Sequence, residues 1–224
     1  MNAIYLIGDS TCHKNNRKTY PQVGWGQVFS MYVNDNYKIV NLAENGRSSK
    51  SFLEEGLFEK CEKDIKKGDF LFIQFGHNDE KDDVFRHTDP FTTYQEYLSY
   101  YINVAKKCDA TPVLLSSIYR RHFDDNGTIK ENCHLDYPKA MEELAIKENV
   151  IYIDMCELTK QMLIELGDEP SKKLFMNFLP NKYKNYPEGK QDNTHLRIKG
   201  AKKICEILVE QISKNPTLNI ILKK

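Results

Sequence analysis

Short, nearly unbroken apolar runs alternate along this chain with stretches whose apolar positions recur every three or four residues. The runs are Ala3-Ile4-Tyr5-Leu6-Ile7, Lys38-Ile39-Val40-Asn41-Leu42, Phe70-Leu71-Phe72-Ile73-Gln74-Phe75, Pro112-Val113-Leu114-Leu115-Ser116 and Val150-Ile151-Tyr152-Ile153-Asp154. Strands of a parallel sheet covered on both faces read this way, because neither face needs polar residues. Between the runs, residues 94–107 carry Tyr97, Tyr101 and Val104 at helical spacing, and residues 137–147 carry Ala140 and Leu144. Residues 199–212 place Ala201, Ile204, Cys205, Leu208 and Ile212 on one face and predict a C-terminal helix. The pattern breaks between Leu174 and Asp192 into Pro, Asn, Lys, Tyr and Gly, which predicts a long surface loop. Asn126-Gly127 predicts a small hairpin turn between Phe123 and Thr128. Strand and helix alternate without a linker or repeat, so the expectation is a single α/β domain over residues 1–224.

Composition narrows the function. Lys+Arg and Asp+Glu both number 32, so a net charge of zero offers no pull toward nucleic acid or anionic lipid. A mean hydropathy of -0.61, without an apolar run near the ~20 residues a span needs, argues against a membrane protein. The first residues lack a basic start and a long apolar segment, which sets the expectation of a cytoplasmic protein. The six cysteines are scattered, form no Cys-x-x-Cys pair and read as reduced thiols. Cys12-His13 and Cys133-His134 lack metal-ligand spacing, so no metal or other cofactor is expected.

In an open parallel sheet, ligands bind beyond the carboxyl ends of the strands. Gly8-Asp9-Ser10-Thr11 follows the first run, Asn41 to Ser48 with Gly46 follows the second, and Gly76-His77-Asn78-Asp79 follows the third. Asp192-Asn193-Thr194-His195 precedes the last helix. These are the groups acyl transfer requires. A serine hydroxyl becomes a nucleophile when a histidine takes its proton, and the histidine needs a carboxylate to orient it. Ser10, His195 and Asp192 supply those three groups, while the N–H groups of Ser10 and Gly46 and the amide of Asn78 supply donors for an oxyanion. Each group alone has an ordinary explanation: a serine after a strand is commonly a helix N-cap, and Asn-Asp in a loop is commonly a turn. Their joint order along the chain is what favours chemistry.

Gly8-Asp9-Ser10, Gly46, Gly76-x-Asn78-Asp79 and Asp192-x-x-His195 resemble, in order, the four blocks of the SGNH (GDSL) hydrolases. Gly24-Trp25-Gly26, Gly46-Arg47-Ser48, Gln74-Phe75-Gly76-His77-Asn78-Asp79 and Thr194-His195-Leu196 are further similar to the rhamnogalacturonan acetylesterases of carbohydrate esterase family twelve. The resemblance implies a flavodoxin-like three-layer α/β/α sandwich around a five-stranded parallel sheet. It implies Ser10 as nucleophile, Asp192 and His195 as its partners, Gly46 and Asn78 in the oxyanion hole, and an acetylated oligosaccharide as substrate.

Around this centre, Trp25 reads either as a sugar platform or as core, His77 as a substrate contact or a packed histidine, and Arg47 as a contact for an acidic sugar or a bridge to a carboxylate. Asp9 is expected to organise the turn behind Ser10, and Asp79 to hold the Asn78 loop. Cys12 is a less favoured rival nucleophile. His13, His87, His122 and His134 read as surface residues. Lys182, Lys184 and Lys190 with Tyr183 and Tyr186 read as a solvated loop or as a rim for uronate-bearing saccharides. Two other functions compete: an esterase or thioesterase for lipid-like acyl chains, which needs an apolar channel, and a catalytically dead sugar-binding protein, which predicts a missing catalytic group.

Overall fold

A computed structural model describes residues 1–223. Five strands, β1 (Asn2–Gly8), β2 (Tyr37–Asn41), β3 (Phe70–Gln74), β4 (Thr111–Leu115) and β5 (Ile151–Ile153), lie within about two residues of the apolar runs. They form one sheet in the order β2-β1-β3-β4-β5, with every pair parallel. Successive side chains point to opposite faces, and both faces are covered. Ile4 and Leu6 of β1 join Phe70, Phe72 and Val113 in one core, while Ala3, Tyr5 and Ile7 join Leu71, Ile73 and Leu114 in the other.

Among the described residues, eight α-helices supply the outer layers. Those on the first face are α1 (Trp25–Val28), α6 (Met155–Leu166) and α8 (Ile198–Lys214), which bury Val28, Met162 and Leu208. The opposite face is covered by α2 (Ser49–Glu54), α3 (Glu59–Asp64), α4 (Gln95–Lys107) and α5 (Tyr137–Glu148), which bury Phe52, Cys61, Tyr101 and Leu144. The short α7 (Asp168–Ser171) follows α6. The three-layer α/β/α sandwich that the resemblance implies is therefore present. None of these helices is long and apolar enough to cross a membrane.

Two local details set up the functional loops. Ser48 caps α2 reciprocally: its Oγ accepts from Ser51 N at 3.1 Å, and its N–H donates to Ser51 Oγ at 2.9 Å. The chain leaves β1 to one side of the sheet and resumes at β3 on the other, so the loops after these strands diverge and open a crevice at their carboxyl ends. The 174–192 segment is irregular apart from isolated bridges such as Phe178 with Lys190, and the Asn126-Gly127 turn closes a single bridge between Phe123 and Ile129.

Candidate active site

Ser10 sits on the tight turn that ends β1. The Asp9 carboxylate shapes that turn: Oδ1 accepts from Thr11 N and Thr11 Oγ1, both at 2.8 Å, while Asp9 O accepts from Cys12 N and His13 N at 3.1 and 3.0 Å. Asp9, Thr11 and Cys12 are buried and Ser10 is half-exposed, so the turn presents one hydroxyl to the crevice. Cys12 Sγ lies in the core, where burial pushes its thiol well above the ordinary value, and the thiol is no rival to the hydroxyl.

The second element of the site is the Asp192–His195 turn before α8. Asp192 Oδ1 accepts from Thr194 N and His195 N at 2.9 Å each, and Oδ2 meets His195 Nδ1 at 2.7 Å. His195 Nε2 lies 3.0 Å from Ser10 Oγ. Residues 185 positions apart thus form one hydrogen-bonded line, carboxylate to imidazole to hydroxyl. Burial raises the Asp192 carboxyl, but the bonds and charge of His195 and the turn's N–H groups outweigh it, holding the group well below the usual carboxylate range. The acid is ionised at neutral pH and fixes the imidazole with Nδ1–H toward itself, leaving Nε2 to accept from Ser10.

The third element comes from the loops after β2 and β3, the strands on either side of β1. Gly46 has φ +75, a left-handed conformation that suits glycine, and it lines a cavity with Arg47 and Phe85. Asn78 Nδ2 donates one hydrogen to Arg47 O at 3.0 Å, and Arg86 Nη1 approaches Asn78 Oδ1 at 3.5 Å. That arrangement orients the amide and leaves its second N–H uncommitted. Among the described residues, the N–H groups of Ser10 and Gly46 also have no protein acceptor. Asp79 ties the two loops together: its Oδ1 accepts from Ser49 N at 3.0 Å and Ser49 Oγ at 2.5 Å. Burial pushes the Asp79 carboxyl up to about 7 despite these bonds, and its Oδ2 has no partner.

The three residues considered for substrate contact stand elsewhere than a sugar would need them, or are already engaged. Trp25 is only 1% exposed and donates Nε1–H to Gln74 Oε1 at 2.7 Å, so it is core and not a sugar platform. Glycines flank it because the backbone after Ser10 runs against it: a Cβ at Gly26 would stand 2.6 Å from Cys12 O and from Asn41 Nδ2. His77 is also buried, bonded through Nδ1 to Asp9 Oδ2 at 3.1 Å, and its Nε2 is enclosed without a partner. Burial lowers its pKa to about 4, so it is a neutral packed ring that braces the turn carrying Ser10, not a substrate contact. Arg47 is half-buried and bridges to Glu55 Oε2 at 2.6 Å and Asn45 O at 2.9 Å, the structural role among its two readings.

His134, expected at the surface, is instead buried. The ring is 1% exposed and stands edge-on to His77 with centroids 4.5 Å apart. Arg120 and Glu80 beside it were missed altogether; nothing in their local spacing distinguishes them from surface charges. His13 is half-buried, with Nδ1 2.6 Å from Ala43 O, while His87 and His122 are exposed as expected.

The loop before Asp192 adds a rim. Tyr183 packs edge-on against Tyr20 at 5.6 Å and Phe178 at 4.7 Å, and Lys190 Nζ lies over Tyr186 at 5.2 Å. Lys190 Nζ is also 3.3 Å from Asp192 Oδ2, and with Lys172, Phe178 and Asn193 it lines a cavity of 380 Å³. Among the described residues, no three His, Cys, Asp or Glu side chains gather as a metal-ligand set.

A doubly wound sheet with a Ser–His–Asp line at its switch point is an arrangement suited to ester hydrolysis. The chain belongs to the GDSL-like lipase/acylhydrolase family, whose sequence pattern matches residues 6–203, and it is a carboxylic ester hydrolase. It is 40% identical to the rhamnogalacturonan acetylesterase RhgT of Bacillus subtilis, over 93% of this chain and 88% of that one. It is 37% identical to the probable rhamnogalacturonan acetylesterase YesY of the same organism, over 94% of this chain and 92% of the relative. The crystal structure of the Bacillus subtilis protein YxiM superposes with a TM-score of 0.81 at 24% identity, covering 95% of this chain and 56% of that one.

Proposed function

We propose that this chain is a serine acetylesterase that removes O-acetyl groups from rhamnogalacturonan-type saccharides through an acyl-enzyme. The observation that carries the reading is the line Asp192 Oδ2 – His195 Nδ1 at 2.7 Å and His195 Nε2 – Ser10 Oγ at 3.0 Å. In this reading Ser10 Oγ attacks the acetyl carbonyl as its proton passes to His195 Nε2, and Asp192 stabilises the imidazolium that forms. The carbonyl oxygen gains a negative charge, which the N–H groups of Ser10 and Gly46 and the second amide hydrogen of Asn78 receive. The tetrahedral carbon then expels the sugar oxygen, which takes the proton back from His195 and leaves acetyl on Ser10. Water, deprotonated by the same imidazole, attacks that ester, releases acetate and returns the proton to Ser10. No metal or cofactor enters the scheme.

The substrate class is inferred from two sources. Relatives that align over nearly the whole chain are named as rhamnogalacturonan acetylesterases. Residues 172–190 hold five lysines against one acidic residue, Glu188, in a chain whose net charge is zero, and they interleave Phe178, Tyr183 and Tyr186. Cations for a uronate and aromatic faces for sugar C–H surfaces suit an acidic saccharide better than a lipid. The test is a series of p-nitrophenyl acetate, butyrate and octanoate together with acetylated rhamnogalacturonan oligosaccharides. The expected result is a kcat/KM that falls with acyl length, with acetate released from the oligosaccharides. A steady rise toward octanoate, as when each added CH₂ is buried for ~0.8 kcal/mol, would move the protein to lipid-like esters.

A further inference from the structure

The catalytic line spans two parts of the chain that no strand of the sheet joins: Ser10 lies on the turn after β1, and His195 on the loop before α8, which an isolated bridge between Arg197 and Gln22 ties to the segment after Ser10 but not to the Asn78 loop. Asp192 fixes the internal shape of that loop, but not where the loop lies relative to the oxyanion donors. The segment after β4 meets this need. Arg120 Nη1 donates to Thr194 Oγ1 at 2.8 Å, on the residue immediately before His195. The same guanidinium sends Nη2 to Glu80 Oε1 at 2.5 Å and to His77 O at 3.2 Å, on the loop that carries Asn78. Its neighbour Arg121 grips Asn193 from the other side, through its backbone N–H and through Nη1, each at 2.8 Å. Behind Glu80, His134 places Nδ1 3.1 Å from Glu80 Oε2 and Nε2 2.9 Å from Ile118 O. Both ring nitrogens face acceptors, so the ring sits as a two-donor imidazolium and completes a cation–anion–cation row of His134, Glu80 and Arg120.

We infer that Arg120 is a positioning residue of the hydrolytic reaction, holding the Asp192–His195 turn in register with the Asn78 loop through its bond to Thr194. The physical case rests on geometry. Glu80 is charge-matched on both sides and mostly buried, so Arg120 is held against the Asn78 loop independently of Thr194. A planar guanidinium bonded at three points has little freedom, so the hydroxyl it holds has little freedom either. Thr194 is bracketed by the two catalytic groups of its turn, and displacement of that turn lengthens His195 Nε2 – Ser10 Oγ directly. Near-attack geometry is steep in such displacements, about 10²-fold in rate for roughly 1 Å.

This inference rests on the Ser10–His195–Asp192 reading, and its test keeps the two apart. Thr194→Val removes the hydroxyl while keeping the branched shape; Thr194→Ser restores the hydroxyl without the methyl. With p-nitrophenyl acetate, Thr194→Val should lower kcat about tenfold, with KM unchanged and Tm within about 2–4 °C of wild type, and Thr194→Ser should recover most of the loss. Arg120→Gln should lower kcat by at least as much, and adding Thr194→Val to it should cost nothing further, because both act through one bond. The inference is overturned if Thr194→Val keeps full kcat, if its loss tracks a fall in Tm, or if the two losses multiply. Failure of the serine mechanism itself would show separately, as Ser10→Ala turning over at the wild-type rate.

Discussion

Replacing Asn78 separates a donor to the transition state from a residue that merely shapes a turn. Asn78 is 8% exposed, and its amide gives one hydrogen to Arg47 O at 3.0 Å, leaving the other free. Asn78→Ala deletes both. Loss of the free one removes an oxyanion donor, which costs roughly 2.7–4 kcal/mol in the transition state, or 10²–10³ in kcat. Loss of the other strands the Arg47 carbonyl, at about 1 kcal/mol of folding stability. For a chain of this length that is roughly 2–4 °C in Tm. With a total stability of order 5–15 kcal/mol, such a loss leaves the protein folded at assay temperature, so instability cannot account for a hundredfold fall in rate. Asn78→Asp keeps the size but sets a carboxylate against both the Arg47 carbonyl and the forming oxyanion, and should be at least as damaging to kcat. The assay is kcat and KM on p-nitrophenyl acetate alongside thermal melting of both variants. An unchanged kcat in Asn78→Ala, or a loss in proportion to the unfolded fraction, would remove Asn78 from the oxyanion hole.

Two further perturbations test how the surrounding structure supports the site. Burial alone would lower the pKa of His134, but Cys133 and Glu80 against it push it up to about 9, above its ordinary value of 6.5. A pKa raised on folding gives stability that is full below the unfolded value and lost as pH rises through the folded one. Relative to His134→Gln, wild-type Tm should therefore fall between about pH 6.5 and about pH 9; parallel curves for the two proteins would refute the charged ring. Gly26→Ala places a Cβ 2.6 Å from Cys12 O and 2.7 Å from Cys12 Sγ, two residues beyond Ser10. Overpacking of this kind costs about 1–3 kcal/mol, so Tm and activity should drop together, and a variant as stable and active as wild type would show that the segment around Trp25 is free to shift.

What the sequence discloses here divides by the range over which its signals act. The sheet is legible because each strand is buried on both faces, so Phe70–Gln74 and its neighbours are apolar almost without interruption. The helices α4, α5 and α8 are legible from their period. By contrast α6 is not among the helices the apolar period picks out, although Asp154 caps it by accepting from Glu157 N at 3.1 Å. That Asp-x-x-Glu step before Met155 was the available signal. Ser10, Gly46, Asn78, Asp192 and His195 each occupy a motif position at a strand end or before a helix, and the structure joins Ser10, His195 and Asp192 in one hydrogen-bonded line. Whether a loop side chain turns inward depends instead on partners far away in the chain. Trp25 turns in because Gln74 accepts its N–H, His77 because Asp9 does so, and His134 because Glu80 and the Ile118 carbonyl enclose it. Composition and spacing carry no trace of those partners.

In the proposed mechanism Ser10 carries the acetyl group between the two halves of the reaction. Mass spectrometry of enzyme quenched during turnover of p-nitrophenyl acetate, followed by peptide mapping, tests it most directly. One acetyl group is expected on the peptide containing Ser10, and none in Ser10→Ala. An acetyl group found on another residue, or a Ser10→Ala variant that still turns over at the wild-type rate, would contradict it.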